Sequence, residues 1–523
     1  MTESPRDAVI RVRFMHPGET SESDVWRRVA DAWADDIEQA DRFYYMMTDR
    51  LAFPNTPAIA NAGNPKSCGS ACFVLPIEDS LYDGQGSITG TLSDASRVHQ
   101  YGGGTGFSFS GIRPHGAIVK STGREAPGPV SFLRGYSDWF KRVSQAGLRP
   151  AANMAILHVD HPDIKDFISC KTVEGDISNF NISVAITDEF MARVDKGDPE
   201  AVELWTEIID GAWRNGEPGV FFEDTVNRTR LHPEAIHATN PCGEVPLLPY
   251  EACVLGSINL AGHVMSSGEI DWGALEETIR TLTQMLDNIV EKQDYPLDII
   301  RDTHRKYRKI GVGVMGYADM LILMGERYGS FTSLMLAEDV MRFVQEVSYT
   351  ESRLLAEAKG VYPGFEEAQA FRPGSHPWRR NLCVQVLAPT GTISWLAGDN
   401  QNRVSPGIEP NYGRKGKNFI LGGIYDYEHA LSDSEYFVSY DEVTPDEHTN
   451  TQAAFQKYTD QAVSKTVNLP KEATHEDVAA VYRKAWETGC KGVTVYREGA
   501  REDVVLLPEG TINTDCESGV CAL

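Results

Sequence analysis

A short segment around Cys242 brings together three side-chain types that can do chemistry. It reads Asn240-Pro-Cys-Gly-Glu-Val-Pro, and its prolines disfavour a helix and favour an extended chain. In an extended chain, residues i, i+2 and i+4 point to one side, so the spacing predicts that Asn240, Cys242 and Glu244 face one site. An amide, a thiol and a carboxylate suit thiol catalysis, a partial metal site or a structural role, and spacing alone leaves these alternatives open.

The cysteines of this chain do not indicate a disulfide framework, because the chain is long and no secretory signal begins it. Most such cysteines are buried small residues or free thiols. The final pair, in CESGVC, fits a chance pair, a weak metal site or a redox pair. The nine cysteines lie at positions 68, 72, 170, 242, 253, 383, 490, 516 and 521.

The elements that must position these groups alternate between helices and apolar strand-like runs. Helical periodicity covers 21–47, 275–289 and 334–359, and a capping box at Thr474 and Asp477 begins a helix that runs through Trp486. Strands are predicted at 71–75, after the glycines of 101–106, and at 493–496. This alternation predicts an α/β fold, and the polar stretch from about 501 predicts a mobile tail.

Length and charge limit the classes of function. A chain of 523 residues predicts one large catalytic domain with small appendages. The net charge of −26 argues against a large nucleic-acid-binding face, because it repels phosphates. No run of 18 apolar residues is present, which argues against a membrane span, so a cytoplasmic location is the default expectation.

Motifs spread from about residue 50 to residue 500 carry a family resemblance. They include NAGNPKSCGSACFVLPIEDSL, GGGTGFSFSGIRPHG, NPCGEVPLLPYEAC, RKIGVGVMGYADML, APTGTIS, GIEP and GCKGVTVYREGAR. Together and in this order they resemble the catalytic subunit of adenosylcobalamin-dependent (class II) ribonucleotide reductases. The resemblance implies thiyl-radical reduction of ribonucleotides to 2′-deoxyribonucleotides.

The resemblance also implies roles for the central residues. Cys242 becomes the thiyl radical that removes the hydrogen from ribose C3′, Glu244 acts as base toward the 3′-hydroxyl, and Asn240 holds that region by hydrogen bonds. Cys72 and Cys253 supply a proton and two electrons for loss of the 2′-hydroxyl as water, and end each turnover as a disulfide.

The same resemblance makes the tail a redox shuttle and names the radical source. Cys516 and Cys521 would reduce the inner disulfide by exchange and then meet thioredoxin or glutaredoxin. Tyr496 stands alone where the class that uses a second radical protein has a tyrosine pair, and no segment resembles a glycyl-radical loop. The implied cofactor is therefore adenosylcobalamin, although the chain lacks the DxHxxG motif.

Nucleotide contacts are implied at two places. The substrate phosphates would be bound by Thr56, Ala71, Pro389, Thr390, Gly391, Thr392 and Ile393. A deoxynucleotide effector would be bound by Asp79, Ser80, Leu81, Arg113 and Lys120. Loops near 124–127, 147–153 and 399–406 depart from the family pattern, which leaves effector control and the exact substrate open.

The implied fold is a ten-stranded α/β barrel of two antiparallel five-stranded halves, with Cys242 on a central finger loop. We expect an N-terminal helical segment at 1–50, the barrel at 51–500 and the shuttle tail at 501–523. The short N-terminal segment predicts no ATP cone and no general dATP switch. We expect no resident metal site and a homodimer, with a monomer as the alternative. Diphosphate and triphosphate substrates are not distinguished.

Two rival functions remain at this stage. One is a reductase-like radical enzyme that acts on an unusual nucleotide, which the altered loops favour. The other is a catalytically silent nucleotide-binding subunit, against which the presence of all five family thiols argues.

Overall fold

The computed structural model describes residues 4–143, 152–173, 175–374, 378–399, 402–420, 423–500 and 506–508. Within 417–420, 423–427 and 506–508 only the backbone is described. The helices in this part of the chain are α1 Pro5–Arg13, α2 Glu22–Trp33, α3 Ile37–Thr48, α4 Thr56–Ala60, α5 Ile88–Gln100, α6 Pro129–Val143, α7 Ile164–Ser169, α8 Asp188–Asp195, α9 Pro199–Asn215, α10 Glu223–Thr229, α11 Trp272–Lys292, α12 Asp298–Tyr307, α13 Tyr317–Met324, α14 Phe331–Lys359, α15 Phe365–Phe371, α16 Ile393–Ala397, α17 Pro445–Gln456 and α18 His475–Glu487.

The strands are mostly short, and several of them are segments of longer extended stretches. They are β1 Ala52–Pro54, β2 Cys72–Val74, β3 Gly104–Ser108, β4 Ile118–Val119, β5 Arg124–Glu125, β6 Asn153–His158, β7 Phe180–Ile186, β8 Gly219–Phe222, β9 Ala238–Thr239, β10 Pro246–Leu247, β11 Ala252–Cys253, β12 Leu255–Asn259, β13 Gly311–Met315, β14 Lys415–Ile420, β15 Gly423–Glu428, β16 Thr466–Leu469, β17 Gly492–Arg497 and β18 Leu506–Pro508.

Five parallel strands form the first half of a barrel. Their order is β2-β3-β6-β7-β8, and each neighbouring pair is parallel. Helices cross between most of them, as parallel connections require. The strands are almost wholly buried, because helices cover one face and the barrel interior lies on the other.

The second half is built from the C-terminal part of the chain. The stretch β11–β12 pairs in parallel with β13, and β13 bridges in parallel to residue 385. Residue 387 bridges to residue 463, just before β16, and β16 is parallel to β17. These five stretches run in one direction around the barrel.

Two antiparallel seams join the halves. At one seam β11 pairs with β2, and at the other β17 pairs with β8. The predicted ten-stranded α/β barrel of two antiparallel five-stranded halves is thereby confirmed. Its closure leaves no free sheet edge, so the barrel interior is separated from water on all sides except its ends.

Helical layers pack outside the barrel. Helices α1 to α3 pack with α11 and α14 in one apolar core, which also receives β12 and β13. A second core lies under the first half of the barrel, and a third fills its interior. The domain boundaries predicted at residues 50 and 500 stay predictions.

Most local predictions from the pattern agree with the structure. Helix α14 ends at Gly360 as expected, and α18 begins with the predicted capping box of Thr474 and Asp477. The single helix predicted at 21–47 is wrong, because the chain forms α2 and α3 with a break between them. Asp36 caps α3 by accepting a hydrogen bond from the Gln39 amide, and Ala34 is extended. Of the predicted mobile tail, only 506–508 lies within the described residues, where it pairs with β14.

Candidate functional site

The segment around Cys242 forms the tip of a hairpin. Strands β9 and β10 pair antiparallel, and residues 240–245 connect them. The Gly243 amide donates to the Asn240 carbonyl at 3.1 Å, and Gly243 has a φ of +84°. The predicted extended geometry is therefore wrong at the tip, which is a tight turn. Pro241 presets the second turn position, and Gly243 tolerates the left-handed backbone.

The turn still brings the amide and the carboxylate together. Asn240 Nδ2 donates to Glu244 Oε1 at 2.8 Å. Asn240 Oδ1 accepts from the Val245 amide at 3.0 Å and from Thr239 Oγ1 at 3.2 Å. Asn240 and Glu244 are both buried, so this network fixes the carboxylate in one orientation.

Both halves of the barrel hold this hairpin, which is the predicted finger loop. Asn181 of β7 donates to the Pro241 carbonyl at 2.8 Å, and the Ala462 amide donates to the Glu244 carbonyl at 2.9 Å. On β3, a Cβ at Gly106 would lie 1.9 Å from the Thr239 carbonyl oxygen. Glycine is thus required at this position for the finger to enter the barrel.

The two inner cysteines face each other across one seam. Cys253 of β11 is the direct antiparallel partner of Cys72 on β2, and both are buried free thiols. Burial, then the neighbouring Cys72 and the charge of Glu244, raise the pKa of Cys253 well above that of a free thiol. Cys253 is thus held as a neutral thiol beside the finger carboxylate. The pair can therefore supply a proton as well as electrons.

Cys242 differs from the other cysteines in exposure. It is partly exposed at the finger tip, whereas the six other cysteines in the described part of the chain are buried. Burial raises the pKa to about 12 in four of these, Cys68, Cys170, Cys383 and Cys490. Cysteines 516 and 521 lie outside the described residues, so their predicted shuttle role stays a prediction.

Glycines leave room around Cys242 and Cys72. A Cβ on Gly104 would lie 3.0 Å from Pro241 Cγ and 3.5 Å from Cys72 Sγ. A Cβ on Gly243 would meet no atom within 4 Å among the described residues. The finger tip therefore faces open space beside Cys242, and β3 leaves a gap between the tip and Cys72.

Gln293 positions the chain that leads to Cys72, and the sequence reasoning missed it. Its Oε1 accepts from the Gly69 amide at 3.0 Å, from the Ser70 amide at 2.9 Å and from Ser70 Oγ at 2.9 Å. Cys68 Sγ lies 3.7 Å from the same oxygen. Gln293 directly follows α11, and only its place at the end of a long apolar helix could have drawn attention to it.

The predicted phosphate residues lie in three short segments. Residues 389–393 form a turn into α16, where Thr390 Oγ1 accepts from the Gly407 amide at 2.8 Å. Thr56 begins α4. Ala71 precedes Cys72 at the seam, where its amide donates to the Cys253 carbonyl at 3.2 Å. The structure thus brings Ala71 to the inner cysteines, and the phosphate-binding roles stay predictions.

Some predicted effector residues come together and others do not. Arg113 Nε donates to Asp79 Oδ2 at 2.7 Å, and Ser80 Oγ donates to Asp83 rather than to Asp79. Leu81 is exposed, as is Lys120 on the turn of the β4–β5 hairpin. Of the loop near 147–153, which departs from the family pattern, only residues 152 and 153 are described.

Two further features bear on function. No group of three or more metal-ligating side chains occurs among the residues that the structure describes. None of the helices within the described ranges is both long and apolar enough to cross a membrane.

Comparisons with known proteins identify the family of this chain. The family model "Ribonucleotide reductase, barrel domain" matches residues 70–200, 198–423 and 423–496, and "Ribonucleotide reductase, all-alpha domain" matches 13–67. A vitamin B12-dependent ribonucleoside-diphosphate reductase of Thermoplasma acidophilum is 39% identical over 91% of this chain and 67% of its own length. One of Mycobacterium tuberculosis is 40% identical over 89% of this chain and 73% of its own.

A solved structure shares the fold at lower identity. The class Id ribonucleotide reductase alpha subunit of Actinobacillus ureae superposes with a TM-score of 0.79 at 21% identity, over 95% of this chain and 99% of that one. At this identity the likeness concerns the fold alone.

Proposed function

Because the chain belongs to the ribonucleotide reductase family, we propose that it reduces ribonucleoside diphosphates to 2′-deoxyribonucleoside diphosphates with adenosylcobalamin as cofactor. One observation of the structure carries this proposal. Cys242 stands on a finger inside the barrel, and the buried pair Cys72–Cys253 lies at the seam beside the finger carboxylate. The relatives at 39% and 40% identity support the diphosphate substrate and the B12 dependence.

The residues of the site divide the reaction between them. The Cys242 thiyl radical takes the hydrogen atom from ribose C3′, and Glu244 takes the proton from the 3′-hydroxyl. Asn240 keeps the carboxylate aimed, since it donates to Glu244 Oε1 at 2.8 Å. The neutral thiol of Cys253 suits the next step, because departure of the 2′-hydroxyl as water needs a proton.

The electrons balance through the same pair. Cys72 and Cys253 together lose two hydrogen atoms and become a disulfide, while the ribose loses its 2′-oxygen as water. Cys242 then returns the hydrogen to C3′ and is ready for another turnover. Their direct opposition across an antiparallel pair suits a disulfide, because this bond needs Cα atoms within about 7 Å.

The residues present fit a cofactor beside Cys242. The thiol is partly exposed, and the open space at Gly243 leaves room for a bulky group next to it. When bound, adenosylcobalamin supplies the radical that oxidises the Cys242 thiol. The closed barrel excludes water from the radical, and the finger holds the thiol at a fixed place within it.

The partners belong to the same proposal. Thioredoxin or glutaredoxin would reduce the tail, and a deoxynucleotide effector would bind near the Asp79–Arg113 ion pair. A homodimer is part of the proposal, and the exposed apolar side chains of Leu81, Ile118 and Trp139 support it, because they are suited to burial against a second copy. The exposed Trp139 donates to Ser96 Oγ at 2.8 Å, so α5 and α6 present one common face.

Product analysis tests the proposal. The purified chain, given each ribonucleoside diphosphate with adenosylcobalamin and dithiothreitol, should form the deoxyribonucleoside diphosphate, and omission of the cofactor should abolish the product. Parallel reactions with triphosphates decide the phosphate number. Activity that instead needed a second, metal-containing protein would contradict the cofactor assignment.

A further inference from the structure

Helix α1 packs directly onto the loop predicted to bind the substrate phosphates. Its buried side includes Ala8, Val9 and Ile10. The buried Arg6 donates from Nε to the Leu396 carbonyl of α16 at 3.4 Å and pairs with Glu22 at 2.5 Å. The all-alpha family match begins only at residue 13, so nearly all of α1 lies ahead of it. The helix is thus fixed relative to α16 by contacts that the family match does not cover.

The last residue of α1 reaches the loop with a positive charge. Arg13 Nη1 donates to Thr392 Oγ1 at 3.3 Å. A guanidinium has only donors, so the threonine hydroxyl must accept from it. The hydroxyl proton of Thr392 is then directed away from Arg13 and is available to another acceptor. A phosphate oxygen is such an acceptor.

The residues that follow α1 are fixed against a second predicted phosphate element. His16 Nε2 lies 2.8 Å from the Ala60 carbonyl of α4, the helix that Thr56 begins. Arg28 donates to the carbonyls of Phe14 at 2.7 Å and Ile59 at 3.0 Å. The C-terminal end of α1 is therefore held between α4 and the 389–393 loop, and Arg13 lies at this junction.

We propose that Arg13 is a substrate-binding residue that, together with Thr392, contacts the terminal phosphate of the ribonucleoside diphosphate. This inference rests on the proposed function. A chain with a net charge of −26 repels a polyanionic substrate, so a cation at the phosphate end has a clear use. Arg13 is exposed, which suits a contact with the outer end of the phosphate chain rather than with its buried end. A forked guanidinium also suits phosphate oxygens.

Binding measurements on matched variants test the proposal. Arg13→Gln should weaken binding of ribonucleoside diphosphate by about tenfold, since it removes one charge-assisted contact, and should leave monophosphate binding nearly unchanged. The diphosphate affinity of Arg13→Lys should lie between those of the parent and Arg13→Gln, because lysine keeps the positive charge but cannot make the two-pronged contact of a guanidinium. Arg11→Gln is the control: it removes the same charge from the same helix, about 160° around its axis.

The kinetics give an independent readout. The loss in Arg13→Gln should appear mainly in KM, and its effect should shrink as salt rises. A double-mutant cycle with Thr392→Val should be non-additive if the two side chains bind one phosphate. Diphosphate binding equal in Arg13→Gln and Arg11→Gln would overturn the inference while the proposed function stands. A parent chain that neither binds nor reduces ribonucleoside diphosphates would overturn the proposed function itself.

Discussion

Exposure separates one cysteine from the rest of those that the structure describes. A thiol reacts when it can be reached, and burial in apolar surroundings makes it inert. Cys242 is partly exposed on a turn held by hydrogen bonds, whereas Cys170 and Cys490 are buried with pKa values of about 12. The radical role proposed for Cys242 thus agrees with its surroundings as well as with its motif.

Replacement of Cys242 by serine should abolish turnover. The O–H bond of serine is stronger than the S–H bond, so the hydroxyl does not form the required radical. Nucleotide affinity should stay within about twofold of the parent, because the substitution is nearly isosteric. Product formation and equilibrium binding measure the two effects. Cys170→Ala is the matched control and should keep turnover, and substantial turnover in Cys242→Ser would remove Cys242 from the radical role.

At the scale of residues, the sequence identified which residues form the site but did not predict how they are arranged. The motif identified Asn240, Cys242 and Glu244, but the alternation rule placed them on an extended strand. The structure instead brings Asn240 and Glu244 together through a turn. Beyond its place after a long apolar helix, Gln293 gives no signal in the sequence, because its four donors come from residues 223 to 225 positions away along the chain.

At the scale of elements, the finger and the seam define the site. The finger enters the barrel because β3 carries glycine at 106, where a Cβ would collide with the Thr239 carbonyl, and at 104, where a Cβ would make a tight contact with Pro241. The sequence showed the glycines of this segment, but it did not show that the finger packs against them. Likewise, the periodicity of 21–47 predicted a single helix, because the apolar positions keep their helical spacing across the break. The break itself lies before α3, where Asp36 is the N-cap.

The inner thiols and the tail should give two different phenotypes when they are lost. Without Cys72 or Cys253 the two-electron step has no reductant, so even a single turnover should fail. Without Cys516 or Cys521 the first turnover should proceed, because the inner pair begins reduced, and later turnovers with thioredoxin should stall. The inner pair is buried, and a disulfide is attacked only by a thiolate that can reach it.

A rapid quench of prereduced enzyme with excess substrate counts product per active site. We expect about one product per site in the tail variants and none in the inner variants. Dithiothreitol should restore part of the multiple-turnover rate of the tail variants, since it is small enough to enter the barrel. A tail double-serine variant with full activity toward thioredoxin would show that CESGVC is not a shuttle.

At the scale of the whole molecule, closure of the barrel depends on contacts between distant parts of the chain. The seams pair residue 253 with residue 72 and residue 493 with residue 220. Such pairings leave no local signal, and the strands of the second half are partly single bridges that no periodicity reveals. The alternation of helices and strands predicted the α/β class, while the barrel followed only from the family resemblance.

Four buried histidines in different parts of the molecule lead to a prediction about stability in acid. Burial lowers the pKa of His99 and His304 to about 4. In His232 and His448, burial and a neighbouring lysine lower the pKa to about 2. Lys309 Nζ lies 3.2 Å from His232 Nε2, and Lys465 Nζ lies 2.8 Å from His448 Nδ1. The folded chain therefore keeps these four rings neutral.

The unfolded chain should protonate the same four histidines near pH 6.5. Below that pH it binds protons that the folded chain does not, so the free energy of unfolding should fall as pH falls, by about 1.4 kcal/mol per pH unit for each histidine. The loss should begin near pH 6.5 and continue below pH 4 for His232 and His448. Thermal unfolding between pH 7.5 and pH 5 measures this loss.

The variant His448→Gln tests the contribution of one of these rings. Glutamine at position 448 can still accept from Lys465 and does not titrate, so the unfolding midpoint of His448→Gln should fall less steeply with acid than that of the parent. Equal slopes in the two proteins would contradict a neutral, buried His448.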